Sequence, residues 1–263
     1  MTPSSTTQKT IQQILSCSRL TVSGLEELQG HLHRICSIRL SNGARLIFKT
    51  CPSPFQTLLR PEQTYLDSEA TILQLLANTY IPVPRILKYE PALSSSTAPF
   101  ILTTCLPGSL YADVIHHRTK TERGGIERQV QALRSSLNQY TSFTYGPAGL
   151  VKAGKGFRTW KEAFIAMIES LLMDGEDMLV NLPYFQIREA ISRWETYLED
   201  VREARLVIPG LGDPSNTLID LDANEVTGLL DYGRAMWGDV AMAEVGRGKD
   251  IKGLLYVLCA LVM

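Results

Sequence analysis

The chain has 263 residues, 44% of them hydrophobic and 20% charged, with a formal net charge of -1 at pH 7. That length suits one large domain or two closely packed lobes, because single hydrophobic cores stop growing at roughly 250 to 300 residues. The near-zero charge excludes the basic footprint of a nucleic-acid binder or of a protein held to an anionic membrane, so neither partner is expected.

The first residues, MTPSSTTQKTIQQIL, carry no apolar stretch behind a basic flank, which argues against a secretory signal. Nowhere does the sequence approach the roughly 18 consecutive apolar residues of a membrane span, and a cytosolic location is the expectation. Cys17, Cys36, Cys51, Cys105 and Cys259 are odd in number, scattered, and never spaced as a metal or redox pair, so they read as reduced thiols.

Next come HLHRICSIRL and ARLIFKT, two β-rich runs joined by Ser41-Asn42-Gly43, a strong hairpin signal. From Pro61 onward, Leu66, Ile72, Leu73 and Leu76 recur at three-to-four spacing and predict an amphipathic helix. IPVPRILKYEP breaks that helix with two prolines. Beyond the loop at Ser94-Ser95-Ser96, PFILTTCL reads as another strand. After Leu106-Pro107-Gly108 the composition turns helical, with helices predicted across Glu122–Tyr140, Thr159–Met173 and Pro183–Val201. One hairpin interrupts them, around Asp222-Ala223-Asn224. The last run, IKGLLYVLCALVM, is apolar and helix-compatible: it packs into the core as a final element, or the chain is shorter than its relatives.

Two pairs of residues carry the candidate chemistry. Lys49 ends a predicted strand and Glu69 lies in the helix that follows; they read either as an ion pair that presents the ammonium to nucleotide phosphates or as a snorkelling lysine and a solvated glutamate. Asn216 and Asp231 flank the late hairpin fifteen residues apart, and both supply the hard oxygen atoms that Mg²⁺ prefers. Asp231-Tyr232-Gly233 stands where a kinase places Asp-Phe-Gly. His31 and His33 alternate on an expected strand and His116 and His117 end a helix, with no third partner for a metal. Trp160 with Phe164, and Met167 with Leu171, share helical faces and read as core or cleft wall.

Taken in order, the hairpin with Lys49, the helix with Glu69, the IPVPR segment, TTCLPGSLYADV, Asn216 and LLDYGRAMWGD make the chain resemble the aminoglycoside and choline kinase superfamily, in particular its divergent branch in filamentous fungi. The resemblance spans nearly the whole chain. It implies an α+β, protein-kinase-like two-lobe fold, with a β-rich lobe over residues 1–106 and a helical lobe over 107–263. It also implies ATP and Mg²⁺ as cofactors and a small-molecule substrate. By the same resemblance Lys49, oriented by Glu69, contacts the phosphates, Leu102 and Cys105 line the adenine pocket, Asn216 and Asp231 ligate magnesium, and Asp239 is a structural anchor.

The catalytic loop departs from that pattern. A kinase places its catalytic aspartate five residues before the metal-binding asparagine, with a histidine two residues earlier; here those positions hold Leu211 and Pro209. Neither side chain accepts a proton, and general-base assistance contributes ~10²- to 10⁴-fold. Asp213 is the alternative carboxylate, on a loop made pliable by Gly210 and Gly212, although an Asp-Pro-Ser sequence also forms a local Asx turn. Three functions therefore stand open: an impaired phosphotransferase with Asp213 as base, a pseudokinase that binds without turnover, and a repurposed fold catalysing a cyclisation or isomerisation in natural-product biosynthesis.

Overall fold

The computed structural model describes residues 20–30, 32–52, 57–91 and 98–244, with residues 11, 12, 14, 253, 255 and 256. Cys17, His31, the Ser94–Ser96 loop, Cys259 and most of the final apolar run lie outside the described residues.

The N-terminal part is an antiparallel five-stranded sheet with one helix against it. Its strands are β1 (Val22–Leu28), β2 (Arg34–Leu40), β3 (Arg45–Thr50), β4 (Ile86–Glu90) and β5 (Phe100–Thr104), in spatial order β1-β2-β3-β5-β4. The β2–β3 turn forms as the Asn-Gly step predicts. Gly43 takes a φ of 83°, and the Asn42 side chain accepts the Ala44 N–H at 3.1 Å. Helix α1 (Tyr65–Leu76) buries Leu66, Ile72, Leu73 and Leu76, the four residues whose spacing predicts it.

Period-2 alternation gives the sheet two unlike faces. Cys36, Ile38, Leu40, Leu46, Phe48, Phe100 and Leu102 form one cluster, with Ile11 packed against them. The opposite face carries Lys49 and Ile101, paired across β3 and β5, toward α1, where Ile101 meets Leu66 and Ala70. β1 and β4 are additions to the expected elements; β4 lies in the proline-broken IPVPRILKYEP segment.

The rest of the described chain is less purely helical than expected. It contains β6 (Ser109–Leu110), α2 (Tyr111–Val114), α3 (Lys120–Leu137), β7 (Thr141–Ser142), β8 (Gly146–Pro147), α4 (Ala148–Lys152), α5 (Trp160–Asp177) and α6 (Tyr184–Trp194), then β9 (Ala204–Val207), β10 (Thr217–Asp220), β11 (Glu225–Leu229) and β12 (Met236–Gly238). The late hairpin is β10–β11, joined by β6, and a four-stranded sheet of order β7-β9-β12-β8 accompanies it. Two- to four-residue strands are too short for period-2 alternation to reveal in sequence. Helices α3 and α5 both begin with capping boxes, Thr119 with Glu122 and Thr159 with Glu162. Trp160, Phe164, Ile168 and Leu172 on α5 centre the large core, at four-residue spacing. Asp239 anchors this half: its carboxylate accepts from the Ala241 N–H at 3.0 Å and the Tyr256 hydroxyl at 2.7 Å, and Tyr256 accepts from Trp160 Nε1 at 2.9 Å. No helix among the described residues is long and apolar enough to cross a membrane.

Candidate active site

Lys49 reaches from β3 to α1 and donates to both Glu69 oxygens, at 3.0 and 2.7 Å. Both side chains are largely buried, at 14% and 10% exposure, so the snorkelling alternative does not describe them. Burial opposes the ammonium, but the carboxylates of Glu69 and Asp231 outweigh it and hold the Lys49 pKa above its ordinary value. Lys49 is therefore a fixed cation.

His33 precedes β2 and shares this electrostatic environment. Burial lowers its pKa first and the Lys49 ammonium lowers it further, against the opposing pull of Asp231, leaving it at about 4. The imidazole is neutral near pH 7, and its Nε2 is buried without a hydrogen-bond partner among the described residues.

The segment between β9 and β10 is a tight loop made possible by two left-handed glycines. Gly210 has a φ of 73° and Gly212 of 78°. A Cβ on Gly212 would also overlap the Val130 side chain of α3, so the loop is pressed onto that helix. Arg134 of α3 reinforces the contact by donating from Nε at 2.7 Å, and from Nη2, to the Leu211 carbonyl. The Leu211 side chain, 2% exposed, belongs to the large core.

Asp213 emerges from this loop exposed. Its main chain does the local work: its N–H donates to Gly210 at 3.1 Å, and its carbonyl accepts from the Asn216 N–H at 2.8 Å and the Thr217 hydroxyl at 2.9 Å. Its carboxylate makes no capping bond to the turn that follows, so the Asx-turn expectation is not met. Asp213 Oδ2, Arg234 Nη2 and Asn216 Nδ2 lie 3.2, 3.3 and 3.9 Å from the point where a Cβ on Gly210 would stand. Glycine thus leaves room for a carboxylate, a guanidinium and an amide to converge.

Asn216 and Asp231 flank the open end of the β10–β11 hairpin, where the Leu230 N–H donates to the Asn216 carbonyl at 2.8 Å. Asn216 Nδ2 points to the Gly210 carbonyl at 3.4 Å, which leaves Oδ1 as the amide atom open to a cation. Asp231 adopts a φ of 64°, a left-handed conformation that aspartate tolerates better than most residues. These hard oxygens fit Mg²⁺, which completes its shell with phosphate oxygens and water. Behind them Tyr232 is 1% exposed, and burial together with Glu69 raises its pKa.

Beside the loop lies a cavity of about 260 Å³. Tyr65, Met167 and Leu171 of α5, Pro209, Arg234 and Met236 are among the residues that line it. Arg60 borders it and is tied to α5 through Asp174, which also accepts the Arg60 N–H at 2.8 Å, and through Asp177 at 2.7 Å.

The sequence-predicted residues divide accordingly. Lys49, Glu69 and Asp231 share one environment, and Asn216 and Asp213 converge beside them in the loop. Leu102 does not join them: alternation turns it to the sheet face opposite Lys49, into the cluster with Phe48, while Thr103 shares the Lys49 face. Cys105 is half-buried just after β5, its Sγ 3.6 Å from the Leu106 carbonyl. Sequence reasoning missed Arg134 and Arg234, for which isolated arginines give no signal, and set His33 aside because it weighed only metal binding.

The family model described as "Phosphotransferase enzyme family" matches residues 28–242. Among curated proteins, none matches the chain. Solved structures resemble it at low identity. One is a thermostable mutant of aminoglycoside phosphotransferase APH(4)-Ia in ternary complex with ADP and hygromycin B, 19% identical, covering 91% of this chain and 75% of its own, with a TM-score of 0.62. Another is the GDP complex of a mutant aminoglycoside 2'-phosphotransferase-IIIa, 16% identical, covering 97% and 88%, with a TM-score of 0.62. A third, the streptomycin-ATP-APH(2")-IIa ternary complex, is 12% identical and covers 99% and 83%, with a TM-score of 0.60. At such identities the likeness carries the kinase-like fold, and the family model carries membership: the chain belongs to the phosphotransferase enzyme family, within the kinase-like aminoglycoside and choline phosphotransferase superfamily.

Proposed function

We propose that the protein transfers a phosphoryl group from ATP to a hydroxyl of a small molecule, with Asp213 as general base. In this reading residues 1–106 hold the nucleotide and residues 107–263 the acceptor. Lys49, oriented by Glu69, contacts the phosphates, and Asn216 and Asp231 hold Mg²⁺, which would neutralise charge on the transferring group. Thr103 and Cys105 border the adenine, in place of Leu102.

The observation that carries the reading is the exposed Asp213 carboxylate, free of partners among the described residues, beside the Asn216 amide. A loose transition state depends mostly on positioning and charge neutralisation, so a base displaced from the usual spacing is compatible with turnover. The test is label transfer from γ-labelled ATP to extracted metabolites. Asp213→Asn is expected to slow it ~10²- to 10⁴-fold and Asp231→Ala to eliminate it. Absence of both transfer and an Mg-ATP melting shift would overturn the proposal.

One observation favours a second reading, in which the fold binds or converts its small molecule without ATP. The protein's own His33 ring interacts with both Lys49 and Asp231, the two charges assigned to the nucleotide and its metal. That reading expects product formation or ligand binding that Mg-ATP leaves unchanged.

A further inference from the structure

The cavity beside the catalytic loop has a composition that selects its occupant. Apart from two arginines, the described residues that line it are apolar, small or hydroxyl-bearing, with no carboxylate among them. Its hydroxyls offer little: Ser170 already donates to the Met167 carbonyl at 2.7 Å and Thr64 to the Pro61 carbonyl at 2.9 Å. Two cations border it. Arg60 is neutralised by Asp174 and Asp177, whereas Arg234 forms no ion pair and no hydrogen bond with the described residues. Asp213 does not line the cavity, and although it faces Arg234 near Gly210 the two are not paired.

A polycationic ligand such as an aminoglycoside would bury several ammonium groups against apolar walls and one arginine, with no carboxylate to receive them; that cost is several kcal/mol per ion. The apolar part of a mostly apolar molecule carries no such charge-burial cost, and one anionic group satisfies the free guanidinium by a bidentate, charge-assisted contact. The volume of about 260 Å³ falls just below the range of ligand sites, roughly 300 to 1,000 Å³, so the occupant is small.

We propose that this cavity binds a small, predominantly apolar molecule carrying one carboxylate or comparable anionic group, with Arg234 as its specificity-determining residue. The inference rests on the proposed function only in taking this cavity as the acceptor side. The test is calorimetric titration of the full chain with 4-phenylbutyrate, with 4-phenylbutylamine, which has the same skeleton and opposite charge, and with kanamycin. The carboxylate is expected to bind about tenfold more tightly than the amine, with kanamycin weaker than both. Arg234→Gln should bring the carboxylate-to-amine ratio toward one, and Arg234→Lys, which keeps the charge and loses the fork, should restore part of it. A carboxylate that fails to bind, an amine or kanamycin that binds as well, or a ratio unmoved by Arg234→Gln overturns the inference. Mg-ATP melting shifts on the same preparation separate the two claims. A missing shift with an intact carboxylate preference sinks only the nucleotide reading, and the reverse pattern sinks only this one.

Discussion

Arg134 and Leu211 meet at a single oxygen: the guanidinium on α3 donates from Nε at 2.7 Å, and from Nη2, to the Leu211 carbonyl. That contact turns the Leu211 side chain into the core while its main chain holds the loop against the helix. The position that would carry a kinase's base is thereby an inward-facing packing position, while Asp213, two residues on, is exposed.

Restoring an aspartate at the usual spacing is therefore expected to fail. Leu211→Asp removes a core side chain and buries a carboxylate without partners, a loss of at least about 3 kcal/mol. Urea denaturation measures it; a variant as stable as the parent would show that residue 211 can turn outward.

Gly43 and Gly212, both left-handed, should respond unequally to alanine. Gly43, with open space where a Cβ would stand, pays only for its φ of 83°, roughly 1 kcal/mol. Gly212→Ala adds an overlap with Val130 on top of a φ of 78° and is expected to cost more than twice as much. Chemical denaturation of the pair compares them directly.

His33 makes stability fall in mild acid. Its folded pKa of about 4 lies below the ordinary 6.5, so between those values the unfolded chain binds more protons and stability rises with pH. The Lys49 ammonium and the Asp231 carboxylate are the charges that face it. From pH 7 to pH 5 this group alone removes about 2 kcal/mol. His33→Gln is expected to flatten that slope in urea midpoints taken across the range; a slope unchanged in the variant would assign it to other groups.

Tyr256→Phe is expected to cost about 1–3 kcal/mol, because it removes the hydroxyl that accepts from Trp160 Nε1 and donates to Asp239, both buried. Thermal unfolding followed by tryptophan fluorescence reads the loss at one end of that chain.

The sequence by itself determined the elements whose signals are local. The Asn-Gly hairpin, the apolar spacing of α1 and the late hairpin all appear where turn chemistry and periodicity place them. The order of the Lys49 hairpin, the Glu69 helix, IPVPR, TTCLPGSLYADV, Asn216 and LLDYGRAMWGD along the chain likewise indicates the family, because a family is recognised by order and spacing.

Only the tertiary structure decided which face, which neighbour and which charge is free. Leu102 and Ile101 are adjacent in sequence and point to opposite faces of one sheet, a choice fixed by register with β3. Arg60 and Arg234 are equivalent as letters, yet one is neutralised by α5 and the other is left facing an apolar cavity. The short strands of the second sheet, the inward turn of Leu211 and the outward turn of Asp213 depend on contacts between segments distant in the chain. Such contacts form only when the chain closes on itself, and no local pattern encodes them.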